Sequence, residues 1–291
     1  MERWTIQKLL NWITEFFTQK CVDSPRLSGE LLLSHVLGLS RIELYTLFDR
    51  VVEPDKLDIL RGMVKRCGNH EPLAYLICRC EFYSLSFKIT SDCLIPRPET
   101  EMLVERAIEF LRKRSGIQQV LDLCTGSGCI AIAIAKNYKD CLVTATDICD
   151  KALAVAAENA AGLKVMDKTR FYCGDLFAPI IEGIESKFDL IVSNPPYVSE
   201  AEFAKLEPNV RDYEPRRALY GGVDGLDVYR RILNQAGDLL TPDGALMMEI
   251  GYAQGPALRE MVESTGQFGP VRVEKDLSKN DRVVITRKTP A

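Results

Sequence analysis

The chain has 291 residues, 46% of them hydrophobic, and 37 Lys and Arg against 41 Asp and Glu give a net charge of −4. That balance fits a folded globular protein and excludes a strongly basic, duplex-gripping one. No apolar run of about eighteen residues occurs to cross a membrane, and Met1-Glu2-Arg3-Trp4 lacks a signal-peptide pattern.

The length suits one large domain plus a small one. Ten cysteines lie scattered along the chain, a pattern that reads as reduced thiols in the cytoplasm rather than a disulfide framework. Cys67, His70, Cys78, Cys80 and Cys93 have no zinc-like spacing, so no metal is expected. The other histidine, His35, sits among leucines and reads as a packed helix residue.

Residues 1–75 read as a helical bundle. Ile6, Leu9, Leu10, Ile13, Phe16 and Phe17 recur at helical spacing, as do Leu31, Leu32, Val36 and Leu37. Asp23-Ser24-Pro25, Gly38 and Glu53-Pro54-Asp55 punctuate the helices, and Gly68-Asn69 ends the last long one. The bundle carries no catalytic constellation, so docking is its expected role. Residues 1–90 hold twelve basic and eleven acidic side chains, which is no footprint for nucleic acid. Residues 76–95 then read as a linking β-hairpin, with alternation around Ser84. Arg97 to Glu101 opens a helix with acids in its first turn.

Residues 96–291 read as an α/β domain, with strands alternating with helices in a mostly parallel sheet. An apolar strand, Val120-Leu121-Asp122-Leu123, feeds Cys124-Thr125-Gly126-Ser127-Gly128 and then an Ala/Ile helix from Cys129. Glycines there allow close ligand approach, and the helix N-terminus adds N–H donors. The loop is not a P-loop, because no Gly-Lys-Ser/Thr follows. The next strand ends in Asp147, about twenty residues on, where such folds hold ribose hydroxyls. Asp175 follows another strand end. Asp150, before an Ala-rich helix, reads as a helix N-cap.

The stretch Asp189 to Tyr197 is the most informative. Leu190, Ile191 and Val192 read as a buried central strand, and Pro195 and Pro196 end it because neither can donate to a ladder. The turn Asn194-Pro195-Pro196-Tyr197 therefore offers acceptors with few competing donors. The Asn194 oxygen and a turn carbonyl can hold the two hydrogens of a planar NH₂ group, and Tyr197 can give a flat group a face to lie against. Together with acids at three strand ends, this describes S-adenosylmethionine and its acceptor. Ser199 to Gly225 follows as a long polar segment expected to be a lid or substrate-contacting loop. A helix over Tyr229–Leu240, a strand over Ala245–Ile250 and a closing hairpin near Val271–Thr286 complete the expectation.

These residues, with Glu71-Pro72-Leu73-Ala74-Tyr75-Leu76, Ile95-Pro96-Arg97-Pro98-Glu99-Thr100-Glu101, Tyr213 to Leu219, Gly221 to Leu226, Glu249-Ile250-Gly251-Tyr252 and Asp281 to Val284, resemble the bacterial release factor glutamine N5-methyltransferases. The resemblance runs from Glu71 to the end of the chain, in order. It implies a Rossmann-like class I methyltransferase that takes S-adenosyl-L-methionine as cofactor and class I peptide chain release factors as protein substrate. The methylated group would be the glutamine of a Gly-Gly-Gln motif, in support of translation termination, by a monomer with no nucleic-acid or membrane partner. It further implies cofactor contacts at Asp122, Cys124, Thr125, Gly126, Ser127, Gly128, Asp147, Asp175, Leu176 and Asn194, with substrate held and turned by Asn194, Pro195, Pro196 and Tyr197. Where the family often has glycine, this chain has Cys124, read as a small wall residue rather than a nucleophile. A ribosomal-protein glutamine, or an adenine-N6 nucleic-acid substrate, would need the same NH₂ clamp. A scaffold that kept the fold without activity is the non-enzymatic alternative.

Overall fold

The computed structural model describes residues 3–183 and 187–289. The chain divides into two compact units. The first comprises Met1–Arg79 together with Glu207–Tyr213, and the second comprises Cys80–Leu206 with Glu214–Ala291.

The first unit is helical: α1 (Ile6–Gln19), α2 (Pro25–Leu37), α3 (Arg41–Thr46), α4 (Pro54–Gly68) and α5 (Leu73–Leu76). Local chemistry sets their ends. Thr5 caps α1 by accepting from Lys8 N, Ser40 and Glu43 form a capping box on α3, and Gly38 ends α2 in the left-handed region. Ile6, Leu10, Ile13 and Phe17 meet Leu32, Leu33 and Leu60 in one apolar core. His35 is exposed in the last turn of α2 rather than packed, because Leu32, Leu33 and Val36 occupy the inward face. The stray segment Glu207–Tyr213 is tied in by Tyr213, whose hydroxyl donates to Asn69 O at 2.9 Å.

From Cys80 on, the second unit opens with a hairpin of β1 (Arg79–Phe82), whose first residue belongs to the first unit, and β2 (Leu85–Lys88), turned at Tyr83 and Ser84, both in the left-handed region. The hairpin is fastened to its own unit. Asn159 accepts from Lys88 N at 2.7 Å and donates to Lys88 O at 3.0 Å and to Ser127 O at 2.9 Å. A 3₁₀ turn (Pro98–Thr100) leads into α6 (Glu101–Leu111), and the alternating pattern follows: β3 (Gln118–Leu123), α7 (Cys129–Asn137), β4 (Cys141–Asp147), α8 (Asp150–Gly162), β5 (Thr169–Cys173), α9 (Ala178–Gly183) and β6 (Phe188–Ser193). The long polar segment is not structureless. It holds three single-turn helices, α10 (Glu200–Phe203), α11 (Pro208–Arg211) and α12 (Arg216–Leu219). Then come α13 (Asp227–Leu239), β7 (Leu240–Glu249), α14 (Gly255–Ser264), β8 (Arg272–Lys275) and β9 (Asp281–Arg287).

The seven-stranded sheet has the order β5-β4-β3-β6-β7-β9-β8, with β3 to β7 parallel and β9 and β8 antiparallel. The expected parallel, Rossmann-like sheet is thus present. On one face Leu121, Leu123, Ile191 and Leu246 pack against Ile232, Leu233, Leu258 and Val262 of α13 and α14. Because β4 lies to one side of β3 and β6 to the other, the order reverses at β3/β6, where open α/β sheets bind ligands. Register aligns the strand ends there: Leu123 stands opposite Thr146 and Ser193, and Asp147 opposite Cys173.

Candidate active site

The carboxyl ends of β3, β4, β5 and β6 open onto a cavity of about 270 Å³. Its wall includes Cys124, Thr125, Gly126 and Ser127 after β3, Asp147 at the end of β4, Asp175 and Leu176 after β5, and Asn194 and Pro196 after β6. Four separate stretches of sequence are therefore brought to one place by the topology. Asp122, Gly128, Pro195 and Tyr197 are not on that wall.

Their placement explains the difference. Asp122 is fully buried beneath the loop; its Oδ2 accepts from Thr125 Oγ1 at 2.6 Å and from Ala131 N at 3.2 Å, so it braces the loop against the start of α7. Burial pushes its carboxyl up to about 7, partly opposed by those two hydrogen bonds. Gly128 has φ +81°, and a Cβ there would press on Ile132 at 2.9 Å and Ala156 at 3.0 Å, so this glycine serves helix packing. Tyr197 turns its ring into the sheet-helix core and donates its hydroxyl to Glu249 Oε1 at 3.3 Å. The aromatic face expected of it is not offered to the cavity. Asp150 is the first residue of α8 rather than its cap, which is Cys149, and Asp147 Oδ1 accepts from the Cys149 N–H at 2.9 Å.

Asp147 also accepts from Gly126 N through Oδ2 at 2.8 Å. Burial raises its carboxyl above the ordinary range, and the nearby Arg217 charge offsets part of the rise. A carboxylate has about four lone-pair directions, so with the backbone N–H groups of Gly126, Cys149 and Ile148 turned to it Asp147 still keeps capacity for a further donor. Asp175 is paired with Arg231 at 2.6 Å. Cys124 sits at φ +59°, the region where a family glycine carries no strain, and burial holds its thiol far above the usual range. Such a thiol is a poor nucleophile, in keeping with a wall residue.

The acceptor turn is framed from behind. Asn194 Nδ2 donates to Thr100 Oγ1 at 3.2 Å, and Thr100 donates to Glu249 Oε2 at 2.6 Å. Val198 N donates to Leu219 O at 2.8 Å and Gly221 N to Val198 O at 2.9 Å, while Gln254 Nε2 donates to Tyr197 O at 3.0 Å. With its nitrogen engaged, the Asn194 side chain keeps its oxygen for a ligand. Arg97 and Ile95 N both donate to the buried Glu214, joining two further cavity segments. Sequence reasoning gave no roles to Arg97, Thr100, Arg217 or Glu249; all four lie in stretches that carried the family resemblance, which was the available signal.

The residues present fit S-adenosylmethionine. A Cβ on Gly126 would meet nothing within 4 Å, so the loop is open to close approach. Ser127 Oγ is buried on the wall beside the Cys129 sulfur, toward which its hydroxyl can turn, and has no other hydrogen-bond partner. Apolar Ile130, Ile148 and Leu176 offer surface for a flat ring, and Asp92, Asp147 and Asp175 balance Arg97, Arg217 and Arg231 around a zwitterion. Among the described residues no His, Cys, Asp and Glu group could hold a metal ion.

Residues 8–77 match the family described as PrmC N-terminal domain, and residues 100–207 match the Methyltransferase small domain. The release factor glutamine methyltransferase of Rhodopirellula baltica is 40% identical over 290 residues, covering 98% of this chain and 97% of the relative. That of Geobacter sulfurreducens is 42% identical over 285 residues, covering 97% and 96%. A solved methyltransferase from Pyrococcus furiosus superposes with a TM-score of 0.52 at 19% identity, covering 72% of this chain and 91% of the other; this likeness concerns the fold alone.

Proposed function

Because the chain belongs to the release factor glutamine methyltransferase family, we propose that it methylates the side-chain amide nitrogen of the Gly-Gly-Gln glutamine in class I peptide chain release factors. The observation that carries this reading is the Asn194 amide, fixed with its oxygen free at the mouth of β6 beside the cavity.

S-adenosylmethionine, when bound, supplies a methyl group on a positively charged sulfur that departs as a neutral thioether. The rest is done by the chain. Asp147 accepts ribose hydroxyls, and Gly126 and Ser127 let the ligand lie close to the backbone. Asn194 Oδ1 and a carbonyl of the Pro195–Pro196 turn accept the two hydrogens of the glutamine NH₂. That grip turns the nitrogen lone pair toward the methyl carbon, which matters because an amide nitrogen is a weak nucleophile. The same negative dipoles stabilise the positive charge that grows on nitrogen as the N–C bond forms. The amide nitrogen that has just gained the methyl still carries both hydrogens and a positive charge, and this cation is acidic enough to release one proton to water and leave the neutral N-methyl amide, so no strong base is needed.

The helical unit, residues 1–79 with 207–213, is proposed to dock the release factor away from its glutamine loop, adding interface area to a small buried acceptor site. Exposed Ile42 and Ile59 on α3 and α4 offer apolar contact for it. Monomeric action in the cytoplasm belongs to the same proposal, and ten free thiols suit a reducing compartment.

The test is mass spectrometry of tryptic release-factor peptides after incubation with enzyme and cofactor. One added methyl on the Gly-Gly-Gln glutamine is expected. Methylation of a ribosomal protein or of DNA adenine instead would replace this substrate with a rival.

A further inference from the structure

Behind Asn194 lies a hydrogen-bond chain whose inner members, Thr100 and Glu249, have no part in the methyl transfer itself. Glu249 ends β7 with only 1% of its surface exposed, and Thr100 ends the 3₁₀ turn with 2%. The Thr100 hydroxyl lies 2.6 Å from Glu249 Oε2, the Tyr197 hydroxyl 3.3 Å from Glu249 Oε1, and Asn194 Nδ2 3.2 Å from Thr100 Oγ1.

The direction of this chain follows from proton counting. An ionised carboxylate can only accept, so both hydroxyls must point at Glu249. With its proton directed there, Thr100 can only accept from Asn194, and the atom facing it must be the NH₂ nitrogen. Asn194 Oδ1 is thereby left toward the cavity, in the orientation that accepts from a substrate NH₂. We propose that ionised Glu249 is a positioning residue that sets the orientation of the Asn194 amide through Thr100, so that its protonation releases the acceptor. A protonated Glu249 brings a proton of its own, Thr100 is free to turn its hydroxyl toward Asn194, and the reversed amide would point two hydrogens at the substrate's two.

The surroundings make protonation accessible. Burial pushes Glu249 up to about 6, opposed by Thr100, by the Arg282 guanidinium on β9 and by Tyr197, and aided by Glu99 beside Thr100. Arg282 is shared with Asp276, whose Oδ2 it reaches at 3.1 Å, so its charge is not devoted to Glu249. Tyr229 on α13 donates to the Glu249 backbone oxygen at 2.8 Å, the Cys129 thiol at the start of α7 is a further titratable neighbour, and the Arg97 charge acts on Tyr197 in the same cluster. Neither a glutamine amide nor a sulfonium titrates in this range, so an acidic limb in turnover reports the enzyme.

The inference deepens the glutamine-methylation reading and rests on it for its kinetic consequence, but its structural half is read without catalysis. In the unliganded full chain, the side-chain ¹⁵N–¹H signals of Asn194, identified by their loss in Asn194→Ser, should titrate with a midpoint of about 6. They should be flat with pH in Glu249→Gln and in Thr100→Val. In turnover, Thr100→Val should lower kcat about tenfold with unchanged cofactor Kd by calorimetry, the scale of losing one oriented hydrogen bond, and Thr100→Ser should restore it. The wild-type acidic limb should vanish in Glu249→Gln. Asn194 signals that ignore pH in the wild type, or titrate equally in Glu249→Gln, would overturn the proposal; so would a Thr100→Val enzyme that binds cofactor and keeps wild-type kcat. If release factor is not methylated at all, the substrate assignment fails while the Asn194 titration still decides the relay.

Discussion

Gly221 stands directly behind Pro196: a Cβ added to Gly221 would lie 2.6 Å from the Pro196 carbonyl oxygen and 2.8 Å from the Tyr197 Cα. Both obstacles are backbone, so the acceptor turn itself would have to move. We predict that Gly221→Ala folds, binds cofactor with little change and loses about a hundredfold in kcat, the cost of displacing a positioning group by an ångström or so. Wild-type turnover in this variant would mean that the turn tolerates displacement and that its position is not what limits the reaction.

Asn194→Ala should leave cofactor affinity nearly unchanged and reduce turnover by about a hundredfold or more, as for removal of one oriented polar group at a reacting centre. Calorimetry and single-turnover rates measured on the same preparation check both halves. Loss of cofactor binding in this variant would reassign Asn194 to the cofactor.

Asp147→Ala should weaken cofactor binding about tenfold or more, since charge-assisted hydrogen bonds contribute roughly 1.5–3 kcal/mol. The same substitution removes the acceptor for Gly126 N and Cys149 N, so a modest drop in Tm should accompany it. An unaltered dissociation constant would leave Asp147 as a loop brace only.

Asp122 gives a pH dependence of stability with a definite sign. Its folded carboxyl is raised from 3.8 to about 7, so the native state holds a proton that the unfolded state has released. Its contribution is fully present below about pH 4 and is lost as pH rises toward about 7. Denaturation midpoints compared across that window should show a slope in the wild type that Asp122→Asn flattens. Equal slopes in the two proteins would show that Asp122 is already ionised in the fold at low pH.

Ile42 is 77% exposed and Ile59 52% exposed, so neither contributes much to the helical core. Ile42→Glu and Ile59→Glu should therefore leave Tm within about a degree or two, surface changes being worth at most ~0.5 kcal/mol. If the helical unit docks the substrate through this surface, KM for intact release factor should rise several-fold at unchanged kcat. An unchanged KM in the double variant would move the docking surface elsewhere.

Much of the fold and part of the site were legible for physical reasons. Leu190 to Val192 followed by two prolines could be little other than a covered strand and its stop, and Gly126 before an Ala/Ile run marked a strand-to-helix loop. Asp147 was found because a strand end twenty residues on is a fixed place in such sheets. What sequence did not yield was direction. Whether Tyr197 faces ligand or core depends on Glu249, fifty-two residues later, and Asp122 faces inward because Thr125 and Ala131 offer it donors there. Thr100 lies 149 residues from Glu249, and no local pattern links a threonine to a glutamate over that span. The hairpin read as a linker is fixed to the second unit by polar residues that no local pattern marks, Asn159 and Glu158 of an alanine-rich helix, which hold Lys88, and Glu101, which accepts from Tyr83 N.

The membership of Glu207–Tyr213 in the helical unit has a consequence for how the protein is made. Tyr213, the partner of the Asn69 carbonyl, lies 144 residues further along the chain and is made well after residues 1–79 have left the ribosome. The amino-terminal helices can gather around Leu10, Phe17 and Leu33 at once, since those contacts are all early in the chain. Their last strap arrives only after β3 to β6 have been translated. The order of birth is thus helices, then sheet, then the strap that returns to the helices, and no single cut in the backbone parts the one unit from the other.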